Sequence, residues 1–287
     1  WDNPFHETHP PREMKKWALH FLISAWALSI PVVNQAVTHR IPGARSAALS
    51  QATVAYPGAE LLFGNPAAAA FEKRVSALVS YDSPFLVREL SLLAAGVVLP
   101  LKPGTFGLAY SQSGVASWCE RKAALSYSMP LGRALAAGIQ FDLIAQSLPE
   151  NRDPCLMATI EGGMVATLSP RLHAGFHLFN PVRARLPTPW GHEKPLTTLR
   201  GGTCWHLTPE LLLCTETEKH SDTPLRVKTG LEILIPGYAA LRCGVASAPL
   251  TFSLGAGFLF RKTTFDIAFG YHGLLGFSPS AAFTWTL

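Results

Sequence analysis

Asp142, Glu161, Arg226, Lys228, Glu232, Arg261 and Asp266 are the residues whose types and spacing bear most directly on chemistry. Each sits in a run where charged or small residues alternate with apolar ones. Alternation at period two is the signature of a half-buried strand, and it gathers these groups on faces opposite the apolar side chains. Acids and bases sharing a face can pair into a lattice or line an ion path. The lattice is the expectation, because a buried charge without a counter-charge is costly. Catalysis is not expected: the chain has no G-x-S-x-G elbow, H-E-x-x-H pair, P-loop or GxGxxG fingerprint. His173 and His177 fall on one face of a strand and could share a metal, but Gly175 lies between them and no third ligand accompanies them, so packing is their expected role. Neither a metal nor a cofactor is called for.

The elements that must position these groups are strands. Phe265, Ile267, Phe269 and Tyr271 oppose Asp266, Ala268, Gly270 and His272. Phe252, Leu254, Ala256, Phe258 and Phe260 oppose Ser253, Gly255, Gly257 and Arg261, and Val227 to Ile235 oppose Arg226, Lys228, Gly230 and Glu232. Leu135 to Leu143 and Ile160 to Leu168 repeat the pattern around Gln140, Asp142 and Glu161. Turn chemistry at Pro103-Gly104, Leu131-Gly132, Pro170-Arg171, Pro209-Glu210, Pro236-Gly237 and Arg261-Lys262 separates the runs, with longer polar connections at 147–154, 183–194 and 218–224. Strands are expected near 74–82, 90–100, 104–113, 121–130, 133–144, 156–168, 171–181, 195–206, 209–217, 224–235, 238–247, 252–261, 263–272 and 279–287. That makes an even set of fourteen, and short and long connections roughly take turns, as in an all-β antiparallel transmembrane barrel. Tyr81, Tyr110, Trp205, Tyr238, Tyr271 and Trp285 fall at strand ends, where interfacial girdles form. Phe283 to Leu287 alternates to the last residue, as a closing strand does. A soluble β-sandwich also alternates and is the competing fold, but its solvent faces would carry more charge than the Gly, Ala and Ser found opposite the apolar residues here.

With 24 Lys+Arg against 19 Asp+Glu in 287 residues, the net charge is only +5 and charged residues make up 15%, against 48% hydrophobic. No basic block occurs, so the pI of about 9.0 does not point to nucleic acid. Residues 1–13 are polar and read as an upstream mis-start of translation. Met14-Lys15-Lys16, the apolar run Trp17 to Val33 and the small residue Ala36 read as a signal peptide over 14–36. A retained anchor helix is the other reading of that run. Past Ala36 no apolar stretch is long enough for a membrane helix. Residues 37–72 are assigned to an N-terminal plug segment and 73–287 to the barrel. Export allows disulfides among Cys119, Cys155, Cys204, Cys214 and Cys243. Cys204 and Cys214 face each other if the loop between them is odd and oppose each other's faces if it is even.

The segment Pro42 to Ala70, with Gly43-Ala44-Arg45-Ser46 followed by Asn65-Pro66-Ala67, resembles the N-terminal signature of FadL-like outer-membrane proteins. Within that superfamily it is more similar to the PorV/PorQ branch, a likeness also carried by Leu135 to Gln146, Leu172 to Ala184 and Phe265 to Ser278. The resemblance implies an outer-membrane barrel whose N-terminal segment plugs or lines the lumen. In that setting Arg45 is expected to pair with one of Glu161, Asp142 or Glu232. PorV-like proteins imply a part in type IX secretion, with secretion-system subunits or secreted cargo as partners besides outer-membrane lipid. FadL-like relatives imply instead a channel for hydrophobic solutes. A non-enzymatic secretion or attachment role in the outer membrane of a Gram-negative cell is the first expectation, the hydrophobic-solute channel the second, and an exported soluble β-protein the third.

Overall fold

The computed structural model describes residues 40–56, 58, 62–116, 118–149, 153–189 and 191–287. The expected mis-start and signal peptide, and the anchor alternative, lie outside the described residues. The strands are β1 (Ser76–Asp82), β2 (Leu92–Pro100), β3 (Thr105–Val115), β4 (Trp118–Leu131), β5 (Leu135–Ser147), β6 (Cys155–Ser169), β7 (Leu172–Phe179), β8 (Leu186–Thr188), β9 (Gly191–Glu193), β10 (Thr198–His206), β11 (Leu211–His220), β12 (Arg226–Ile235), β13 (Ala239–Ala246), β14 (Thr251–Phe260), β15 (Thr263–His272) and β16 (Gly276–Thr286). All but β8 and β9 form one closed antiparallel barrel of fourteen strands, in which β7 pairs with β10 and β1 pairs with β16. β8 and β9 form a separate small hairpin within the β7–β10 connection, an element the sequence reading did not foresee. Closure leaves no sheet edge with unpaired backbone groups, as a hydrocarbon environment requires.

The alternating runs decide which way each side chain points. Phe141 is 59% exposed, while its neighbours Gln140 and Asp142 are 1% and 2% exposed. The same inversion recurs along the wall: Leu125, Phe176, Leu254 and Phe269 face out, and Ser126, His177, Ser253 and Lys228 are buried. Polar groups inside and large apolar groups outside are stable only where the outer medium is hydrocarbon. This arrangement excludes the two-layer sandwich. No helix among the described residues is long and apolar enough to cross a membrane; the strands make the crossing.

Ser76 pairs with Thr286, so the barrel's first and last strands begin and end at one rim. That rim carries the tight connections, such as Leu131–Leu135 and Phe260–Thr263, while the opposite rim carries the long ones, including Asp82–Leu92, Ser147–Cys155 and Phe179–Thr198. Trp205, Tyr238 and Trp285 lie at the short-turn rim and Tyr81 and Tyr271 at the long-loop rim, all exposed; Tyr110, expected at a strand end, sits at the middle of β3. Two aromatic belts at the two ends of an apolar wall mark its two interfaces with water.

Cys204 and Cys214 are direct cross-strand partners, bridged by a disulfide with Cα atoms 4.1 Å apart. The loop between the paired His206 and Leu212 is odd, which realises the facing alternative. Both sulfurs point inward and pack with Ala52, Val54, Ala55 and Leu212. Cross-linking a loop this short stabilises by about 2–3 kcal/mol in the chain-entropy account. Cys204→Ser combined with Cys214→Ser is therefore expected to keep the barrel but lower its unfolding midpoint, read by heat-modifiable gel migration or urea titration.

Candidate functional site: the lumen and the segment that crosses it

The lumen is built from the inward faces of the strands together with residues preceding β1. In that segment the helix α1 (Ala44–Ala48) packs beside β13 to β16 and β1, and a 3-10 helix (Pro66–Phe71) packs beside β3 to β6. Small residues allow the approach. Ala44, Ala47 and Ala48 are buried with Leu78, Ala268 and Ala282, and Ala67 and Ala68 are buried with Val165. The wall answers with glycine. A side-chain carbon at Gly138 would lie 2.6 Å from backbone atoms of Pro66 and Ala67, and one at Gly244 would lie 2.7 Å from those of Leu49 and Ser50. At Gly163 it would collide with Asn65, and at Gly175 with Val54. Inward glycines of separate strands thus form a ledge on which the segment rests.

Polar contacts with the wall fix it there. Glu216 of β11 accepts backbone N–H bonds from Thr53 and Val54 at 2.9 and 2.8 Å through one oxygen, and its other oxygen lies 3.1 Å from Lys228 Nζ. Arg45 donates through Nε and Nη2 to the two oxygens of Glu232 at 3.1 and 3.4 Å, and its guanidinium lies over the Tyr56 ring. Of the three partners expected for Arg45, Glu232 is the one it meets. Asn65, fully buried, donates its amide to the Val54 carbonyl at 2.7 Å and reaches the wall carbonyls of Met164 and Phe176, while its Oδ1 caps the 3-10 helix by accepting from Ala67 N at 3.1 Å. Arg200 donates to the Gly64 carbonyl. Gly43 donates its N–H to Asp82, and Ser46 bonds Thr53.

Replacing Asn65 tests the second half of this scheme. Asn65→Ala removes donor and acceptor together, whereas Asn65→Asp aims a carboxylate at three carbonyls with no proton to offer. The aspartate variant is expected to destabilise more, by several kcal/mol against about 1–3 for alanine. Urea midpoints of the two variants check the order.

The remaining charges form ion-paired groups. Lys122 bridges Asp142, at 3.3 Å, and Glu161, whose other oxygen lies 2.8 Å from His177 Nε2. Lys228, wholly buried, sits between Glu216 and Glu218, the latter at 2.7 Å, and Arg242 links Glu232 to Asp266. Asp142, Glu161, Lys228, Glu232 and Asp266 therefore lie in the lumen, and Arg226 is half-buried at the long-loop rim, donating to Thr251. Arg261 is a correction. It occupies the Arg261-Lys262 turn with φ 54°, exposed, its guanidinium over the Phe260 ring. The two-residue hairpin ends the alternation one residue before Arg261, so parity no longer assigns it a face. His173 bonds Thr167 instead of joining His177. Sequence reasoning missed Lys122, Arg200, Glu216, Glu218 and Arg242; period-two spacing beside inward residues already recognised was the signal available for them.

No family model matches the chain, and no curated protein matches it by sequence. Solved structures do match. The barrel is similar to a FadL homologue from Pseudomonas aeruginosa, with TM-score 0.65 and 11% identity over 85% of this chain and 98% of that one. It is similar to the toluene transporter TodX of Pseudomonas putida, with TM-score 0.60 and 11% identity over 84% and 96% of the two chains. The outer membrane protein Omp33 of Acinetobacter baumannii aligns at TM-score 0.52 with 7% identity, over 76% and 100%. These likenesses show the fold, which is that of the FadL-like fourteen-strand outer-membrane β-barrels.

Proposed function

We propose that this protein is a non-enzymatic outer-membrane channel of a Gram-negative cell for small hydrophobic compounds, with residues 40–71 as the constriction across its lumen. The observation that carries this reading is the anchored segment itself. It brings Leu49, Val54, Leu62 and Phe63 into a bore whose wall also carries ion pairs and hydroxyls, with Val54 and Leu212 in one apolar patch and Leu62, Phe63, Val98 and Ala109 in another. A solute without hydrogen-bonding groups is accommodated by such patches and rejected by the charged lattice between them. The fold supports the same reading, since its structural neighbours include TodX, described as a toluene transporter. The test is uptake of radiolabelled toluene by intact cells that do or do not express the chain. Faster accumulation with the protein, altered when residues 42–70 are deleted, is expected; equal rates would overturn the channel.

The order of Gly43-Ala44-Arg45-Ser46 and Asn65-Pro66-Ala67 favours a second reading, in which the barrel serves a type IX-like secretion system and holds translocon subunits or cargo by its long-loop rim. Affinity capture from detergent-solubilised outer membranes separates the two. Recovery of translocon subunits or secreted cargo with no solute uptake supports secretion.

A further inference from the structure

At the long-loop rim the β7–β10 connection and the adjoining ends of β10 and β11 line a cleft of about 550 Å3, within the roughly 300–1,000 Å3 of small-molecule sites. Its floor is the outward cross-strand pair Leu199 and Lys219. Its walls carry Arg183, Arg185 and Lys194, and Asp222 is its one carboxylate. The hairpin β8–β9 organises the cations. Leu186 pairs with Glu193, so Arg185 and Lys194 flank the base of the hairpin next to its two strands. Leu186 is buried with Ile144, Met157 and Phe179, which fastens that base to the barrel.

The four cations of the cleft differ from those buried in the lumen. Within the lumen Lys122, Arg200, Lys228 and Arg242 all meet carboxylates. Arg183, Arg185, Lys194 and Lys219 are exposed, and none has an ion pair among the described residues; Lys219 Nζ donates instead to the Thr223 carbonyl at 2.6 Å. Four like charges gathered around a single carboxylate leave a net positive cleft, which attracts an anion. Beneath them Leu199 belongs to the lipid-facing wall and is 43% exposed. Cations above an apolar wall, at the water boundary of a membrane, match a ligand with anionic head and acyl tail.

Resting on the outer-membrane reading above, we propose that this cleft binds the phosphate groups of an acylated phosphoglycolipid of the outer leaflet, whose chains lie along the wall below Leu199. Inorganic phosphate shares the anionic chemistry but offers nothing to the apolar floor. The experiment is native mass spectrometry of the detergent-solubilised full chain titrated with diphosphorylated lipid A, enzymatically dephosphorylated lipid A, and inorganic phosphate. Binding of the diphosphorylated lipid is expected to weaken by about tenfold or more on removing its phosphates, and similarly in Arg183→Gln/Arg185→Gln/Lys194→Gln. Equal binding with and without phosphates overturns the proposal even if the triple variant fails to fold. So does full competition by millimolar inorganic phosphate, which identifies a free-anion site. Heat-modifiable migration and membrane fractionation of the same protein report separately on the outer-membrane reading: loss of both defeats that reading, while their retention with phosphate-independent binding defeats only this site.

Discussion

Glu216→Ala is expected to detach the luminal segment from the wall. The carboxylate accepts the Thr53 and Val54 N–H groups at 2.9 and 2.8 Å and is the partner, at 3.1 Å, of a lysine with no exposed surface. Its loss strands two buried donors and leaves Lys228 with Glu218 alone. Removing one member of a buried pair costs about 3–5 kcal/mol, because the uncompensated charge stays in place. The barrel's hydrogen-bonded wall does not depend on this carboxylate, so the cost should fall on the seating of the segment. Planar-bilayer recordings are expected to show higher conductance than wild type, and limited proteolysis faster cleavage within 40–71, while heat-modifiable migration persists. Unchanged conductance and protection would show that Glu216 does not hold the segment.

Bulk on the glycine ledge should act from the opposite side. In Gly138→Val and Gly175→Val the new carbon meets backbone of Pro66-Ala67 or of Val54-Ala55, which no side-chain rotation can relieve. Overpacking of this kind costs about 1–3 kcal/mol per site. Valine is also a better strand residue than glycine, so the wall itself gains. The expected result of the double variant is an intact barrel with a displaced segment and raised solute flux. Gly162→Val supplies the control: its added carbon has no atom within 4 Å, and the effect on stability should stay within about 0.5 kcal/mol. Equal behaviour of ledge and control variants would mean that the close approach carries no energetic weight.

Much of this architecture was legible in the sequence because a membrane barrel writes its geometry at period two. All fourteen expected strands exist, most with ends displaced by only a few residues. The closing strand begins at Gly276, earlier than expected, because Pro279 lies just past the β1 pairing that ends at Asp82 and Ser280, where its missing N–H breaks no ladder bond with β1. Strand β11 was harder to read. Its outward face carries Thr215 and Thr217, so alternation against Glu216 and Glu218 is weak, and the anchor of the luminal segment went unrecognised. Arg45 could be placed opposite a carboxylate but not opposite a particular one, since its partner is set by the path of a segment without periodicity. The β8–β9 hairpin, three residues a side around Pro187, is too short to leave a pattern.

The seam between β1 and β16 joins the two ends of the wall, so the cylinder is complete only when its final residues arrive. The segment it encloses is translated before any of them. Its contacts with Glu216, Gly244 and Ser253 belong to later-made strands, and these must assemble around a chain already present. The seating of the interior segment thus draws together residues from across the whole length of the chain.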